Sequence, residues 1–296
     1  MVERWQDNDN TAHDTAGAGF QLLIIVSMTI TLFIALLALG LASGFLAGLL
    51  GIGGGMFMVP ILTYLLSANG LDSGLAVKMA IATSMAVIVF TSISSVRAHH
   101  KRGAVRWDIV AKLAPGIILG SLIGSIGVFS VLKGIYLAIF FGVFVAFSAT
   151  QMFMNKKPPP TREMPGTVGQ FVAGGVIGMI SGLVGAGGGF ISVPFMTWCN
   201  IAIHTAVATS AGLGFPIAVS NVIGYIVSGS SVQGLPPGSF GYIWLPALAL
   251  IAGGSVLTAP LGARSAHSLP VATLKRIFAC LLYVLAAYML WKGFSS

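Results

Sequence analysis

Two long stretches without charge constrain this chain more than any other feature of its sequence. No acidic or basic residue lies between Asp14 and Asp72, and the 100 positions between Glu163 and Arg264 carry only His204 as an ionisable side chain other than cysteine or tyrosine. A helix needs about 20 apolar residues to cross a bilayer, so each stretch holds more than one crossing. With 56% apolar and 7% charged residues, the chain is predicted to be an all-α polytopic membrane protein surrounded by lipid.

Charges, prolines and glycines divide the apolar sequence into ten candidate segments. They are residues 20–50, 55–67, 75–97, 107–129, 133–154, 168–186, 190–200, 204–228, 241–262 and 272–292. Two of them, 55–67 and 190–200, are too short to cross an apolar core about 30 Å thick. We therefore expect a short broken or re-entrant helix at each of these two places.

Lysine and arginine in short loops indicate the cytoplasmic side of the membrane. Such loops at 97–106, 155–162 and 264–276 alternate with loops that carry few basic residues, which places both termini outside the cytoplasm. Because the basic residues are spread over these loops and form no single patch, the net charge of +8 does not predict nucleic-acid binding. The predicted parts of the chain are a polar extracytoplasmic tail (1–19), a first transmembrane repeat (20–154), a cytoplasmic linker (155–167) and a second transmembrane repeat (168–292).

One glycine pattern occurs twice in the chain. "GLLGIGGGMFMVP" at 48–60 matches "GLVGAGGGFISVP" at 182–194, and "KMAIATS" at 78–84 matches "HTAVATS" at 204–210. With five segments in each half, two similar halves enter the membrane from opposite sides. The prediction is two inverted-topology repeats of about five segments each, with one short helix in each repeat.

The glycine triplets predict where the helices break. Three consecutive glycines disfavour helix, and the unpaired backbone groups of a break must be buried in protein or line an aqueous cavity. Pro60 and Pro194 lack an N–H, so they are expected in the first turn of each short helix. The amino termini of the two short helices then point their positive dipole ends toward the midplane, which favours a small anion.

Backbone groups and hydroxyls make up the predicted substrate site. Hydroxyls can donate to an oxyanion without a buried charge, although each has the alternative of bonding back to its own helix, and a glycine cluster has the alternative of a packing role. The predicted substrate-binding residues are Gly53, Gly54, Gly55, Pro60, Thr63, Thr83, Ser84, Gly187, Gly188, Gly189, Pro194, Thr197, Thr209, Ser210 and Asn221.

Other chemistry is not indicated, and we expect no catalytic residue, metal ion or cofactor. The phosphate-binding and dinucleotide-binding glycine motifs, zinc-ligand spacing and the G-x-S-x-G motif are all missing from the sequence. Acidic residues outside the termini lie only at segment ends or in loops, so proton or sodium coupling is not indicated. A channel-like or regulatory membrane component is the main alternative to a transporter, and an intramembrane enzyme is a weaker one.

These motifs resemble the sulfite exporter TauE/SafE family of membrane anion transporters. The resemblance rests on the two glycine motifs, the "ATS" after each, "HHKRGAVRW" at 99–107 leading into "PGIILGSLIGS", and "TAPLGARSAHSLP" before "LKRIFACLLYVLAAYML". It covers about residues 20–292 and implies export of sulfite, sulfoacetate, related sulfonates or other organic anions across the bacterial cytoplasmic membrane. The motifs do not choose among these substrates.

Overall fold

The computed structural model of the protein describes residues 30–48, 54–154, 162–265 and 271–295. Each of the ten predicted segments corresponds to helix in these ranges. The helices are α1 (Ile30–Gly48), α2 (Gly55–Ala68), α3 (Ser73–His100), α4 (Trp107–Leu122), α5 (Phe129–Val131), α6 (Gly134–Met154), α7 (Thr167–Val184), α8 (Gly189–Trp198), α9 (Ile203–Gly229), α10 (Leu245–Ser265) and α11 (Val271–Ser295). The predicted tail 1–19, the start of the first segment and most of the linker lie outside the described residues.

Eight helical spans in the described part of the chain are long and apolar enough to cross a membrane. One of them, Trp107–Val131, runs from α4 through a π-helical turn at Ile123–Val128 into α5. A two-stranded antiparallel hairpin, β1 (Ser239–Phe240) and β2 (Ile243–Trp244), precedes α10. These spans confirm the prediction of an all-α polytopic membrane protein. The short helices α2 and α8, with 14 and 10 residues, lie where broken or re-entrant elements are predicted.

Helix α3 shows how the ends of the spans are fixed by polar residues. The Asp72 carboxylate accepts a hydrogen bond of 3.0 Å from the Leu75 amide at the amino terminus. Arg97, His99 and His100 lie in the last turn, where positive charge interacts favourably with the helix dipole. Between these ends the helix is apolar and two thirds buried, so it forms part of the protein core.

Glycines let α4 and α7 cross in direct backbone contact. A Cβ on Gly116 or Gly120 of α4 would overlap a carbonyl oxygen of α7, at Phe171 and Gly175 respectively. Both contacts move along the two helices in the same direction, so α4 and α7 run parallel. Small residues permit this close approach between membrane helices, and any larger side chain would separate them.

Helices α1 and α10 cross in the same way. A Cβ on Gly40 would lie 2.7 Å from the Ile251 carbonyl oxygen, and a Cβ on Gly44 would overlap the backbone of Ser255. The repeat aligns Gly40 and Gly44 of α1 with two glycines of α7 that meet α4, namely Gly174 and Gly178. Each crossing therefore joins one helix from residues 20–154 with one from residues 168–292, and the two halves of the sequence are interleaved in space.

Corresponding helices of the two halves run antiparallel. In the pair α6 and α11, the Tyr283 hydroxyl donates to Thr150 Oγ1 over 2.7 Å, whereas Ile139 lies against Gly293 at the other end. In the central pair α3 and α9, Ser92 lies against Gly214 and Val96 against Gly212. In both pairs the residue number rises along one helix as it falls along the other.

Candidate functional site

Each short helix begins after a glycine with left-handed backbone. Gly54 has φ 66° and ψ −10° before α2, and Gly188 has φ 76° and ψ −13° before α8. Side chains of L residues strongly disfavour this conformation, whereas glycine adopts it freely. The two torsion pairs differ by 10° or less, so the repeated motif produces the same turn in both halves. Gly53, which was also predicted for the site, lies outside the described residues.

The first amides of both short helices have no partner within their helix. The carbonyl oxygen of Gly54 or Gly188 accepts the first two helical bonds, from the third and fourth residues that follow it. The amides before those donors belong to Gly55 and Met56 in α2 and to Gly189 and Phe190 in α8. They form the positive end of each helix dipole.

The start of α2 meets the second break, by which we mean residues 185–188 between α7 and α8. A Cβ on Gly55 would overlap the Gly185 carbonyl oxygen and would lie 3.3 Å from Ala186 Cα. Gly185 itself has φ 68° and ends α7. Both breaks are therefore neighbours in the protein interior.

Isoleucine side chains cover both helix starts. Ile88 of α3, 1% exposed, lies against Gly55 and Gly187, and fully buried Ile217 of α9 lies against Gly188. Apolar side chains therefore lie in contact with both helix starts.

Thr83 and Thr209 make matching hydrogen bonds between the halves. Thr83 Oγ1 accepts from the Trp244 amide over 3.1 Å, just before α10. Thr209 Oγ1 accepts from the Arg106 amide over 3.1 Å, just before α4. Each threonine thus ties the central helix of one half to the start of a helix in the other half. Both are fully buried, and their predicted contact with substrate remains a prediction.

The Arg106 side chain lies at the exposed start of α4. Its guanidinium pairs with the Asp108 carboxylate over 2.6 Å. The hydrogen bond and charge of Asp108 raise the pKa of Arg106. Arg106 therefore stays positively charged, and the Asp108 carboxylate is its partner.

The serines of the two "ATS" motifs both contact the second half, Ser84 at the second break and Ser210 at α8. Ser84 Oγ donates to the Ile81 carbonyl over 2.9 Å and lies 3.3 Å from the Gly185 carbonyl oxygen. Ser210 Oγ accepts from Ser192 Oγ over 2.9 Å. Ser192, on α8, is a partner that the sequence analysis missed.

The two predicted threonines on the short helices differ. Thr197 Oγ1 donates to the carbonyls of Val193 and Pro194, both at 3.0 Å, so it bonds back to its own helix. Thr63 is fully buried, and its hydroxyl has no hydrogen-bond partner among the described residues.

The expected position of the prolines in the first turn is wrong. Pro60 and Pro194 are the sixth residues of α2 and α8, inside the second turn, because each helix starts directly at the last glycine of the triplet. Pro60 lines an apolar groove of about 300 Å³ between α2 and α11, together with Tyr64 and Tyr288. A second apolar groove, of about 240 Å³, follows the crossing of α4 and α7. Neither groove lies at the breaks.

Asn221 lies close to the second break, and only the nitrogen of its side-chain amide makes a hydrogen bond. Its Nδ2 donates to the Ile217 carbonyl over 2.9 Å, and its fully buried Oδ1 faces Gly182 without a partner. Ser181, the preceding residue on α7, also has a buried hydroxyl without a partner, and this hydroxyl points toward Gly188. Ser181 was not predicted, although its place directly before the repeated glycine motif was a usable signal.

A row of three aromatic rings lies between Gly182, near the second break, and Lys78. The Tyr225 hydroxyl donates to the Gly182 carbonyl, and its ring centroid lies 4.7 Å from that of Phe129. Phe129 contacts Tyr242 at 5.6 Å, and Lys78 Nζ lies 5.6 and 5.5 Å from these two rings. Burial raises the pKa of the Tyr242 phenol, so it stays neutral beside the lysine.

No cluster of three or more metal-binding side chains occurs in residues 30–48, 54–154, 162–265 and 271–295. The donors at the breaks are backbone amides and hydroxyls, which suit oxygen atoms of an anion better than they suit a cation.

Comparison with known proteins identifies the family of the chain. The family described as "Sulfite exporter TauE/SafE" matches residues 36–289. The chain belongs to this family. A probable membrane transporter protein of Haemophilus influenzae is 39% identical over 263 residues, covering 88% of this chain and 99% of the relative. One from Methanocaldococcus jannaschii is 28% identical, covering 87% and 97%, and the probable membrane transporter protein YunE of Bacillus subtilis is 27% identical, covering 89% and 99%.

No solved structure matches the chain. Its family, its relatives and the eight apolar spans among the described residues make it a multi-pass membrane transporter of the cell membrane. The names of the three relatives give no substrate.

Proposed function

We propose that this TauE/SafE transporter exports small sulfur-containing or organic anions, such as sulfite, sulfoacetate or related sulfonates. The observation that carries the proposal is the pair of helix starts after Gly54 and Gly188, with matching torsions and free amides in the protein interior. Amides at a helix start stabilise negative charge, and little water competes with them inside a membrane protein.

The distribution of carboxylates supports an anion over a cation. Asp72 caps α3, Asp108 lies in the first turn of α4, and Glu163 precedes α7. Among the described residues, acidic side chains therefore occur only near helix ends. An anion leaving a cell with a negative interior gains about 2.3 kcal/mol per charge per 100 mV, so export can proceed without a coupling ion.

We further propose that the two halves are inverted-topology repeats. Support comes from the antiparallel pairs α3 with α9 and α6 with α11, and from the matching glycine crossings. Transporters of this design expose a central site to each side of the membrane in turn. Because the halves are interleaved, the moving bodies here are groups of helices drawn from both halves. Movement of Ile88 and Ile217 away from the helix starts opens the site.

The substrate class follows from the donors and from the family description. Amides and hydroxyls bind sulfite, sulfonate and carboxylate oxygens alike, so the chemistry of the site selects an oxyanion and leaves its identity open. The family description names sulfite.

Transport in liposomes tests this function. Purified protein should move sulfite, sulfoacetate or methanesulfonate down an imposed potassium–valinomycin voltage, with a rate that saturates as the anion concentration rises. A rate that stays linear favours a channel, the main alternative. Failure of every anion in a panel that also includes acetate and sulfate, while the protein is folded, contradicts the proposal. Protein-free liposomes give the background.

A further inference from the structure

The surroundings of the two helix starts match in position but differ in chemistry. A Cβ on Gly54 would meet the Ser43 carbonyl at 3.0 Å and Ala47 Cβ at 3.4 Å. A Cβ on Gly188 would meet Ile177 Cγ2 at 3.6 Å and Ser181 Oγ at 3.4 Å. The glycine motifs lie 134 residues apart, and so do these neighbours, so Ala47 and Ser181 occupy equivalent places. Only the second half has a hydroxyl there.

The Ser181 hydroxyl is buried and unused. The residue is 1% exposed, and its Oγ has no hydrogen-bond partner among the described residues. A serine in a membrane helix ordinarily bonds back to its own backbone, as Ser125 does to Ser121 over 2.6 Å and Ser148 to Phe144 over 2.9 Å. Leaving a buried polar group without a partner is unfavourable, so this hydroxyl is available to bind a ligand.

Other free donors lie beside this hydroxyl. The N-cap glycine of α8, Gly188, is its neighbour, and the next two amides, of Gly189 and Phe190, have no helical partner. Asn221 Oδ1, which faces Gly182, the next residue after Ser181, is also buried and unpaired. Oδ1 is an acceptor, so it suits a bound water or a hydroxyl of the ligand.

We propose that the anion binds at the second break only, with Ser181 Oγ and the first amides of α8 as its donors. This inference rests on the proposed function and adds a binding residue and an asymmetry to it. A hydroxyl and two amides together suit a group with several oxygens, as in sulfite or a sulfonate. Beside Gly54, the equivalent residue Ala47 supplies no hydroxyl. Ile217, which now fills the space beside Gly188, leaves it when the anion enters.

Replacement of the hydroxyl is the first test. Ser181→Ala should raise KM for sulfoacetate flux at least about tenfold, because the variant loses a hydrogen bond to a charged group. Maximal flux should change less than twofold. Ser148→Ala removes a buried hydroxyl that bonds within its own helix, and it should behave as the wild type does. A wild-type KM in folded Ser181→Ala overturns the inference.

A labelling experiment tests the asymmetry without using flux. In a background of Cys199→Ala and Cys280→Ala, Ser181→Cys and Ala47→Cys are treated with N-ethylmaleimide, with and without methanesulfonate. We expect methanesulfonate to slow alkylation at position 181 at least threefold and to leave position 47 unchanged. Equal protection at both positions, or none at position 181, contradicts the inference.

The two proposals fail in different ways. If the wild type moves no anion in liposomes, the proposed function fails and this inference fails with it. If the wild type transports and Ser181→Ala keeps its KM, only the assignment of Ser181 is wrong. Anion-dependent thermal stabilisation of the wild type, lost in Ser181→Ala and kept in Ser148→Ala, supports both.

Discussion

The two breaks share their backbone and differ in their side chains. Gly54 and Gly188 have nearly the same torsions, and each precedes a short helix whose first two amides are free. Around this common frame, Ala47 and Ser181 occupy equivalent positions. The two turns therefore have similar backbones, and at this pair of positions only the second half has a hydroxyl.

The central helices α3 and α9 also differ in the polar residues at equivalent positions. The "ATS" motifs are 126 residues apart, so Asn221 and Tyr225 of α9 correspond to Ser95 and His99 of α3. Asn221 and Tyr225 are fully buried beside Gly182, whereas Ser95 and His99 are partly exposed near the basic loop at 97–106. A similar backbone in the two halves therefore does not require the same polar side chains at equivalent positions.

Blocking either turn should have the largest effect. Gly54→Val and Gly188→Val should each abolish flux, because a β-branched side chain strongly disfavours the left-handed torsions of both turns. The new Cβ would also lie 3.0 Å from the Ser43 carbonyl oxygen at position 54 and would overlap Ile217 at position 188. The measurement is anion uptake into liposomes by protein that elutes as a single species. Gly253→Val, at a glycine of α10 with open space around it, is the control and should retain transport. Wild-type flux in either break variant would show that the two turns are not equally required.

Removing the Tyr225 hydroxyl should have an intermediate effect that its counterpart lacks. Tyr225→Phe leaves the buried Gly182 carbonyl without its donor, which costs about 1–3 kcal/mol of stability and should lower the melting temperature by about 2–6 °C. His99→Phe, at the equivalent position of α3, should shift it by less than about 1 °C, since surface changes rarely exceed 0.5 kcal/mol. The measurement is a melting curve in detergent. Equal shifts in the two variants would contradict the difference between the halves.

The smallest effects should be equal in the two halves. Thr83→Ala and Thr209→Ala each remove the acceptor of one amide, of Trp244 and Arg106, and should each cost about 1 kcal/mol of stability. Thr83→Ser and Thr209→Ser keep the hydroxyl and should be less affected. The same variants test the predicted substrate contact: a weaker anion affinity in either alanine variant supports it, and unchanged affinity in both removes these threonines from the site.

The positions of the helices and of the two breaks could be predicted from the sequence, because both depend on local chemistry. Apolar runs predicted the ten segments, and three successive glycines predicted where the short helices start. Pro60 was misplaced by a turn because a proline limits where a helix begins without determining it. The partners of Thr83 and Thr209 could not be predicted, since they depend on which helices cross.

The interleaving of the two halves could not be predicted from the sequence either, because it also depends on which helices cross. Glycine at position 116 or 120 indicates that some helix approaches closely, but its sequence does not say that the partner is α7. Ser181 was missed although it directly precedes the repeated glycine motif, because its burial and its contact with Gly188 depend on the turn between α7 and α8. The structure identified it as a buried hydroxyl without a partner among the described residues.

The glycine crossings have a consequence for how the protein is made. Ribosomes add about 5–20 residues per second, and α1 ends at Gly48 whereas α10 starts at Leu245. Helix α1 therefore waits roughly 10–40 s in the membrane before its partner has been synthesised. Helix α4 waits for a shorter time, until α7 follows. In a nascent chain stalled in the linker, the glycines of α1 and α4 that contact α10 and α7 in the finished protein should consequently face lipid. These helices should then be loosely packed and accessible to membrane proteases.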